Sequence, residues 1–417
     1  MLAQTARSFA VAVALVVCAA LPAAAQQVVK LAYIDPLSGP FANVGESGFK
    51  HFQFVIDDIN RRNLAGGFKL EVVGFDNKVS PQESLTQLKK VIDDDLRYVI
   101  QGNGSSVALA LADAIQKHND RDPGHEILYL NYAAVDPDLT NSKCTFWHFR
   151  FDANSDMKME ALTSFLAQDK GIKKVYLINQ NYSFGQAVAR AARADLGRKR
   201  PDVQIVGDDL HPLGQVKDFA PYVAKIKAAG ADTVITGNWG NDMTLLVKAA
   251  KDAGLDVTFY TYYAGGLGTP TAMGDAAVGH VKQITEWHLN LPTKETDRLA
   301  QEFKKKYNID WYYGRVATAM YMLAEAMKRA KSAEPVAVAK ALEGMRFQTE
   351  LGEVEMRAAD HQLIQPLFIS TIERSAANGG PKEVKYDVEN TGLGFKTDAR
   401  IEASVSAQPT SCQMKRP

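Results

Sequence analysis

Two hydrophobic periods take turns along this chain. The run VVKLAYI from Val28 has the β-branched, apolar character of a buried strand, and the stretch from Gly45 to Asn63 places Phe49, Phe52, Ile56 and Ile59 on one helical face. The strand-like run KLEVVGF follows from Lys69. Ser80, Pro81 and Glu83 then form a helix start, with a hydroxyl cap, proline in the first turn and an acid three residues after the cap. The strand YVIQG, a helix from Ser106 to His118 and the strand ILYLNY complete a first series. Strands alternating with amphipathic helices predict βα units and a parallel sheet.

A second series of the same kind opens at Lys173. Its strands are KKVYLI, VQIVGDDL, ADTVITGNW and VTFYTYY, and its helices run over Ser183 to Leu196, Asp218 to Ala229 and Asp242 to Ala253. Helices are then expected around 296–306, 316–329 and 335–343, followed by β-like runs at GEVEMR and PLFISTIE. Two similar lobes with elements left over imply that the chain crosses back between them. The tail after Asn378 carries no pattern that assigns it a place.

The amino terminus changes the compartment. Arg7, the apolar run Phe9 to Leu21 and the small residues Ala23, Ala24 and Ala25 have the layout of a secretory signal peptide over 1–25. The expected location is therefore the periplasm. Cys18 follows the branched Val17, where lipid attachment calls for a small residue, so cleavage after Ala25 is expected instead. The remaining chain exceeds the ~250 to 300 residues at which single cores stop growing, which also requires two lobes. Lysine plus arginine and aspartate plus glutamate number 48 each, so net charge gives no reason to expect nucleic acid or an anionic membrane as partner. Beyond Cys18 only Cys144 and Cys412 remain, and an oxidising compartment permits one disulfide between them.

Catalytic signatures are missing: the chain has no phosphate loop, GxSxG elbow or HExxH. Gly102-Asn103-Gly104 lacks the third glycine of a dinucleotide fingerprint, with Val107 in its place, so no cofactor is expected. The histidines lack metal-ligand spacing, and Asp93, Asp94 and Asp95 read as a solvated helix end, so no metal is expected either. Cys144 with His148 is the one conceivable nucleophile and base; a hydrolase is the catalytic rival, and the expectation is that the chain is not an enzyme.

Binding features are stronger. Gly102 and Gly104 free the backbone where Ser105 and Ser106 open a helix, and such a helix start offers N–H groups, hydroxyls and a positive dipole end to an anion. Ala133, Ala134 and Val135 follow the next strand and let a ligand approach the backbone. In the second series Tyr182, Phe184, Trp239, Tyr262 and Tyr263 gather at strand ends, the edge where open parallel sheets bind ligands. Gly265, Gly266 and Gly268 then suggest a loop that bends around something.

Leu37-Ser38-Gly39-Pro40 with Gly45, the turn Tyr98 to Ser106, the run AAVDPDLT from Ala133, Arg150, and Tyr182 to Gly185 together resemble the periplasmic type I solute-binding proteins of the branched-chain amino acid uptake family. The resemblance covers roughly Val28 to Ile372. It implies a Venus-flytrap α/β fold, two doubly wound parallel-sheet lobes joined by a three-segment hinge, that closes on cargo and delivers it to an inner-membrane ABC permease. A monomer is the simpler expectation. The lobes would comprise 26–149 plus 286–346 and 150–285 plus 347–417, with crossings near Arg150, Ile284 and after Phe347. Arg150 is expected as an ion-pair partner rather than a ligand contact.

In amino-acid binders of that family, a serine at the position of Ser105 and backbone N–H groups around Val135 hold the ligand carboxylate. A threonine where this chain has Val135, and a glutamate where it has Tyr263, hold the ammonium. Without them a buried ammonium costs several kcal/mol. The expected cargo is therefore an aromatic or apolar carboxylic acid, in a site of Phe41, Ser105, Ser106, Ala133, Ala134, Val135, Phe184, Trp239, Tyr263 and Tyr312. Alternatives are a branched-chain amino acid, an amide or urea-like compound, or a ligand-sensing rather than a transport role.

Overall fold

The structure, a computed structural model, describes residues 26–417; the expected signal peptide over 1–25 lies outside them. The first lobe is built on strands β1 (Val28–Asp35), β2 (Lys69–Asp76), β3 (Tyr98–Gln101), β4 (Leu128–Asn131) and β5 (His148–Arg150), in the order β2-β1-β3-β4-β5. All four pairings are parallel. Between the strands run helices α1 (Ala42–Arg61), α2 (Pro81–Asp93) and α3 (Ser105–Arg121). The start of α2 forms as the sequence indicates: the Ser80 hydroxyl accepts the Glu83 N–H at 3.3 Å and Pro81 occupies the first turn.

The chain passes through α4 (Ser155–Leu166) into the second lobe. There β6 (Lys174–Gln180), α5 (Ser183–Lys199), β7 (Gln204–His211), α6 (Ala220–Ala228), β8 (Thr233–Thr236), α7 (Gly240–Asp252), β9 (Thr258–Thr261), α8 (Thr269–Met273) and β10 (Val281–Thr285) continue the alternation. Helices α9 (Glu295–Tyr307), α10 (Gly314–Ala330) and α11 (Pro335–Leu342) return to the first lobe, and Leu299, Phe303, Met320, Leu323 and Leu342 join its hydrophobic core. The chain continues as a small sheet of β11 (Arg346–Thr349), β12 (Gly352–Met356) and β13 (Leu363–Ile364). Then β14 (Leu367–Arg374) and β15 (Leu393–Ile401) join the second lobe's sheet before the one-turn helix α12 (Ala403–Ser406).

The second sheet has the order β15-β14-β10-β9-β8-β6-β7. It is mixed rather than purely parallel, because β14 runs antiparallel to both β10 and β15. The expected boundary at 347 also falls early. Val354, Met356 and Leu363 belong to the first lobe's core, and the chain re-enters the second sheet only at Leu367. The tail ends on the first lobe: Cys412 is bonded to Cys144 with Cα atoms 5.7 Å apart, and the Thr410 hydroxyl donates to the Thr140 carbonyl at 2.7 Å.

Three strands of chain thus cross between the lobes, and the first and third are tied together. Arg150 is fully buried, donates from Nε to Gln362 Oε1 at 2.7 Å, and reaches the Asp136 carbonyl and the Thr140 hydroxyl through its other nitrogens. Gln362 and Gln365 donate to the Asp152 and Phe151 carbonyls at 2.8 and 2.9 Å. The role expected for Arg150 needs revision, since its hydrogen-bond acceptors are uncharged. Burial lowers its pKa to about 10, still far above neutrality, so it stays a cation that staples the first crossing to the third. No described helix is long and apolar enough to cross a membrane.

Candidate functional site

A cleft of about 110 Å³ lies between the lobes, along the C-terminal edges of both sheets. The volume compares with the roughly 150 Å³ cavity that holds one benzene. Each functional side chain is set there by the strand-to-helix connection that carries it. On the first lobe, Gly102, Asn103, Gly104 and Ser105 follow β3, and Ala133 and Val135 follow β4. A β-carbon at Gly102 would come within 2.6 Å of the Tyr132 ring, so only glycine lets this loop lie against the second turn. Ser105 is 2 % exposed, and its hydroxyl oxygen accepts the Asp136 N–H at 3.2 Å, which leaves its proton for an acceptor in the cleft.

Behind that loop, Asp35 is fully buried and accepts from the Asn103 N–H at 2.9 Å and the Tyr132 hydroxyl at 2.8 Å. Tyr132 also meets Asn103 Nδ2 at 2.8 Å and Tyr33 at 3.0 Å. Burial outweighs these donors and raises the Asp35 pKa to about 7. The carboxyl therefore fixes the wall of the cleft without itself lining it.

The second lobe contributes aromatic surface. Tyr182 and Phe184 follow β6, Trp239 follows β8, and Tyr262 and Tyr263 follow β9; all five line the cleft. The Trp239 indole donates to the Tyr182 hydroxyl at 2.8 Å, which fixes the plane of the indole. Tyr263 donates to Asp152 at 3.4 Å and lies with its ring 4.8 Å from the Lys158 ammonium.

Four of the expected residues take other places or share two roles. Phe41 is not in the cleft wall. It packs on Trp239 with ring centroids 4.3 Å apart, in a seat so close to Gly240 that a β-carbon there would fall 2.8 Å from the Phe41 ring. Asn241 donates across the same seam to the Pro40 carbonyl at 2.7 Å, so the lobes touch here and close one mouth of the cleft. Ser106 likewise faces the seam, its hydroxyl 3.4 Å from that of Ser183. Ala134 is buried behind the wall, its N–H donating to the Asn131 side chain at 2.8 Å. Tyr312 does line the cleft and also donates to Glu389 at 3.3 Å.

Sequence reasoning missed the return strap and the tail. Thr285, Trp287, His288 and Leu289 after β10, and Trp311, Tyr313 and Arg315 before and at the start of α10, all line the cleft, as do Gln283, Val388 and Phe395. One signal could have found β15: Leu393, Phe395, Ala399 and Ile401 alternate with Gly394, Lys396, Asp398 and Arg400 in strand period. Glu389, just before it, accepts the Thr271 N–H at 3.0 Å as well as the Tyr312 hydroxyl, which joins the lobes at a second point.

The electrostatics favour an anion. Helices α3, α5, α7 and α10 all begin at the cleft, so their positive ends converge on it. Among the described residues Arg315 is the one charged side chain in the wall, and no aspartate or glutamate lines it. Two acids beside the wall are already engaged: Glu286 pairs with Arg315 at 2.9 Å and Asp152 with Lys158 at 2.9 Å. Burial alone would raise the Glu286 carboxyl, and the Arg315 and Lys158 charges bring it below its ordinary value. His288 accepts the Asn290 N–H at 3.3 Å, and burial lowers its pKa to about 3, so it is neutral. Cys144 is committed to its disulfide, and no group of three potential metal ligands occurs among the described residues.

A sequence-family model described as a periplasmic binding protein matches residues 28–380. A relative named Leu/Ile/Val-binding protein homolog 4, from Brucella melitensis, is 34 % identical over 96 % of this chain and 97 % of its own length. The closed conformation of a leucine-, isoleucine-, valine-, threonine- and alanine-binding protein from Brucella ovis superposes with a TM-score of 0.81 at 30 % identity, covering 94 % of this chain and 100 % of that one. A solute-binding protein of an ABC transporter from R. palustris, solved with benzoate, gives a TM-score of 0.76 at 16 % identity over 93 % and 99 % of the two chains. Two lobes crossed three times, a cleft at their sheet edges and a family match over most of the chain lead to one conclusion: this chain belongs to the periplasmic binding protein family.

Proposed function

We propose that the cleft captures a small carboxylic acid with an aromatic or apolar body, by closure of the two lobes, for delivery to an inner-membrane ABC permease. The observation that carries this reading is the charge of the wall: among the described residues four helix N-termini and one arginine converge on it, and no acidic side chain does. The Ser105 hydroxyl and the start of α3 suit the carboxylate, while Phe184, Trp239 and Tyr263 suit a flat or branched apolar body. Among the described lining residues an α-ammonium would find no carboxylate, but only neutral polar groups and aromatic faces to meet it. Binding energy then shifts an open and closed equilibrium rather than driving a chemical step, as befits a family of solute-binding proteins.

A second reading, an α-amino acid cargo, has the names of the Brucella relatives in its favour. The aromatic reading has in its favour the benzoate bound by the R. palustris protein of the same fold. A thermal-shift panel on the mature chain, unfolded and refolded to remove carried-over ligand, separates them. A ligand at 100 times its Kd stabilises the native state by about 2.7 kcal/mol. Benzoate and phenylacetate raise Tm under the proposal, and a rise with leucine or valine alone overturns the cargo while leaving the clamp.

A further inference from the structure

The unpartnered polar atoms in the cleft wall are all of one kind. Among the described residues, three lining side chains carry a buried nitrogen with no hydrogen-bond partner: Trp287 Nε1, Trp311 Nε1 and Arg315 Nε. Their residues are 6 %, 3 % and 5 % exposed. An indole N–H and a guanidinium Nε–H donate and never accept. A buried donor without an acceptor is costly, and the natural place for its acceptor is a ligand or water in the adjoining cavity, which for Trp311 and Arg315 is the cleft, while Trp287 also lines a second cavity of about 340 Å³.

The three come from one stretch of chain. Trp287 follows β10 and packs on the backbone where α10 begins, so closely that a β-carbon at Gly314 would lie 2.7 Å from it. Arg315 is the next residue, and Trp311 precedes them by one short connection. Arg315 donates to Glu286 through Nη1 at 2.9 Å, while its Nε stands 3.7 Å from Asp152, beyond hydrogen-bond reach. This group belongs to the return strap, whereas Ser105 and α3 belong to the β3 edge of the first sheet. The cleft therefore has two donor regions, one expected for the carboxylate and one with nothing assigned to it.

We infer that the cargo carries a second oxygen acceptor, away from the first carboxylate, which the Trp287, Trp311 and Arg315 donors receive. This rests on the carboxylic-acid reading and narrows it to hydroxy-, oxo- or dicarboxylic acids. A donor-only region rejects an ammonium there and gains nothing from a bare methyl or ring C–H.

The test is calorimetric titration of the refolded mature chain with matched pairs: benzoate against 4-hydroxybenzoate and terephthalate, and hexanoate against adipate. At least one second-acceptor acid is expected to bind ten-fold or more tighter than its parent. Arg315→Lys keeps the charge beside Glu286 but removes Nε–H, and Trp311→Phe removes only the indole donor; either is expected to cut that preference, read as the ratio of the two Kd values within each variant, to under three-fold. Should Arg315→Lys not fold, Trp311→Phe and Trp287→Phe carry the comparison. Equal binding of every parent and its second-acceptor partners overturns the inference and leaves the carboxylic-acid reading intact. Binding of neither, with binding of leucine, overturns both.

Discussion

Phe41→Ala tests whether closure, rather than direct contact, sets affinity. Phe41 is 4 % exposed, yet it lines no part of the cavity; its ring is buried against Trp239 of the opposite lobe, 4.3 Å between centroids. Full burial of a phenylalanine is worth about 1.5–3 kcal/mol, and an aromatic pair adds about 0.5–1.5 kcal/mol. Part of that burial is against Val44 of its own lobe and survives opening. The loss specific to the closed form is thus about 2 kcal/mol, or roughly 30-fold in Kd. Stopped-flow fluorescence and calorimetry on the wild type and Phe41→Ala should place the change in dissociation, because the ligand first meets the open form. The ligand-free stability should move by no more than about 0.5 kcal/mol, as for a surface change. A Kd within two-fold of wild type refutes the reasoning, and so does a ligand-free destabilisation as large as the affinity loss.

Other outcomes follow from single contacts. Ser105→Ala removes a hydroxyl aimed at an anion and orphans the Asp136 N–H, so calorimetry should show a 10- to 100-fold weaker acid, from about 1.5–3 kcal/mol per charged hydrogen bond. Asp35→Asn tests the buried carboxyl: with its pKa raised from 3.8 to about 7, the stability it contributes is fully present below pH 4 and lost as pH rises through 7. Urea unfolding of both chains should show the wild-type advantage shrinking by roughly 2–4 kcal/mol from pH 4 to 7, at about 1.4 kcal/mol per pKa unit. His51 and His288, lowered to about 3, destabilise both chains alike as pH falls below 6.5, and so cancel in that difference. A flat difference would sink the assignment. Cys412→Ser opens a bond that spans 268 residues and should cost about 2–5 kcal/mol in the same unfolding assay, with acid binding retained.

The βα alternation was legible because the central strands of the parallel cores are rich in apolar, β-branched and aromatic residues and the helices between them keep an apolar face, as in β3, with all four residues buried, followed by α3. Ser105 and Trp239 were legible for a related reason: residues just past a parallel strand land at the sheet edge whatever the rest of the chain does. Trp287, Trp311 and Arg315 obey no such rule. They sit in a connection between β10, α9 and α10 whose path along the cleft is set by packing on the first lobe, as where the Tyr312 N–H donates to His51 Nε2 at 3.0 Å. Phe41 shows the opposite error, a residue beside the right motif whose ring serves the seam between lobes. The boundary after Phe347 was misplaced because the short strands β11 to β13 carry their apolar residues toward the first core, a direction that alternation alone does not give.

Head-to-head calorimetry of benzoate and leucine on the refolded mature chain tests the central claim most directly. Micromolar or tighter binding of the acid, with leucine at least 100-fold weaker, is the result that a wall of helix N-termini and Arg315 without an acidic side chain predicts. Leucine binding as tightly as the acid, or more tightly, would contradict it.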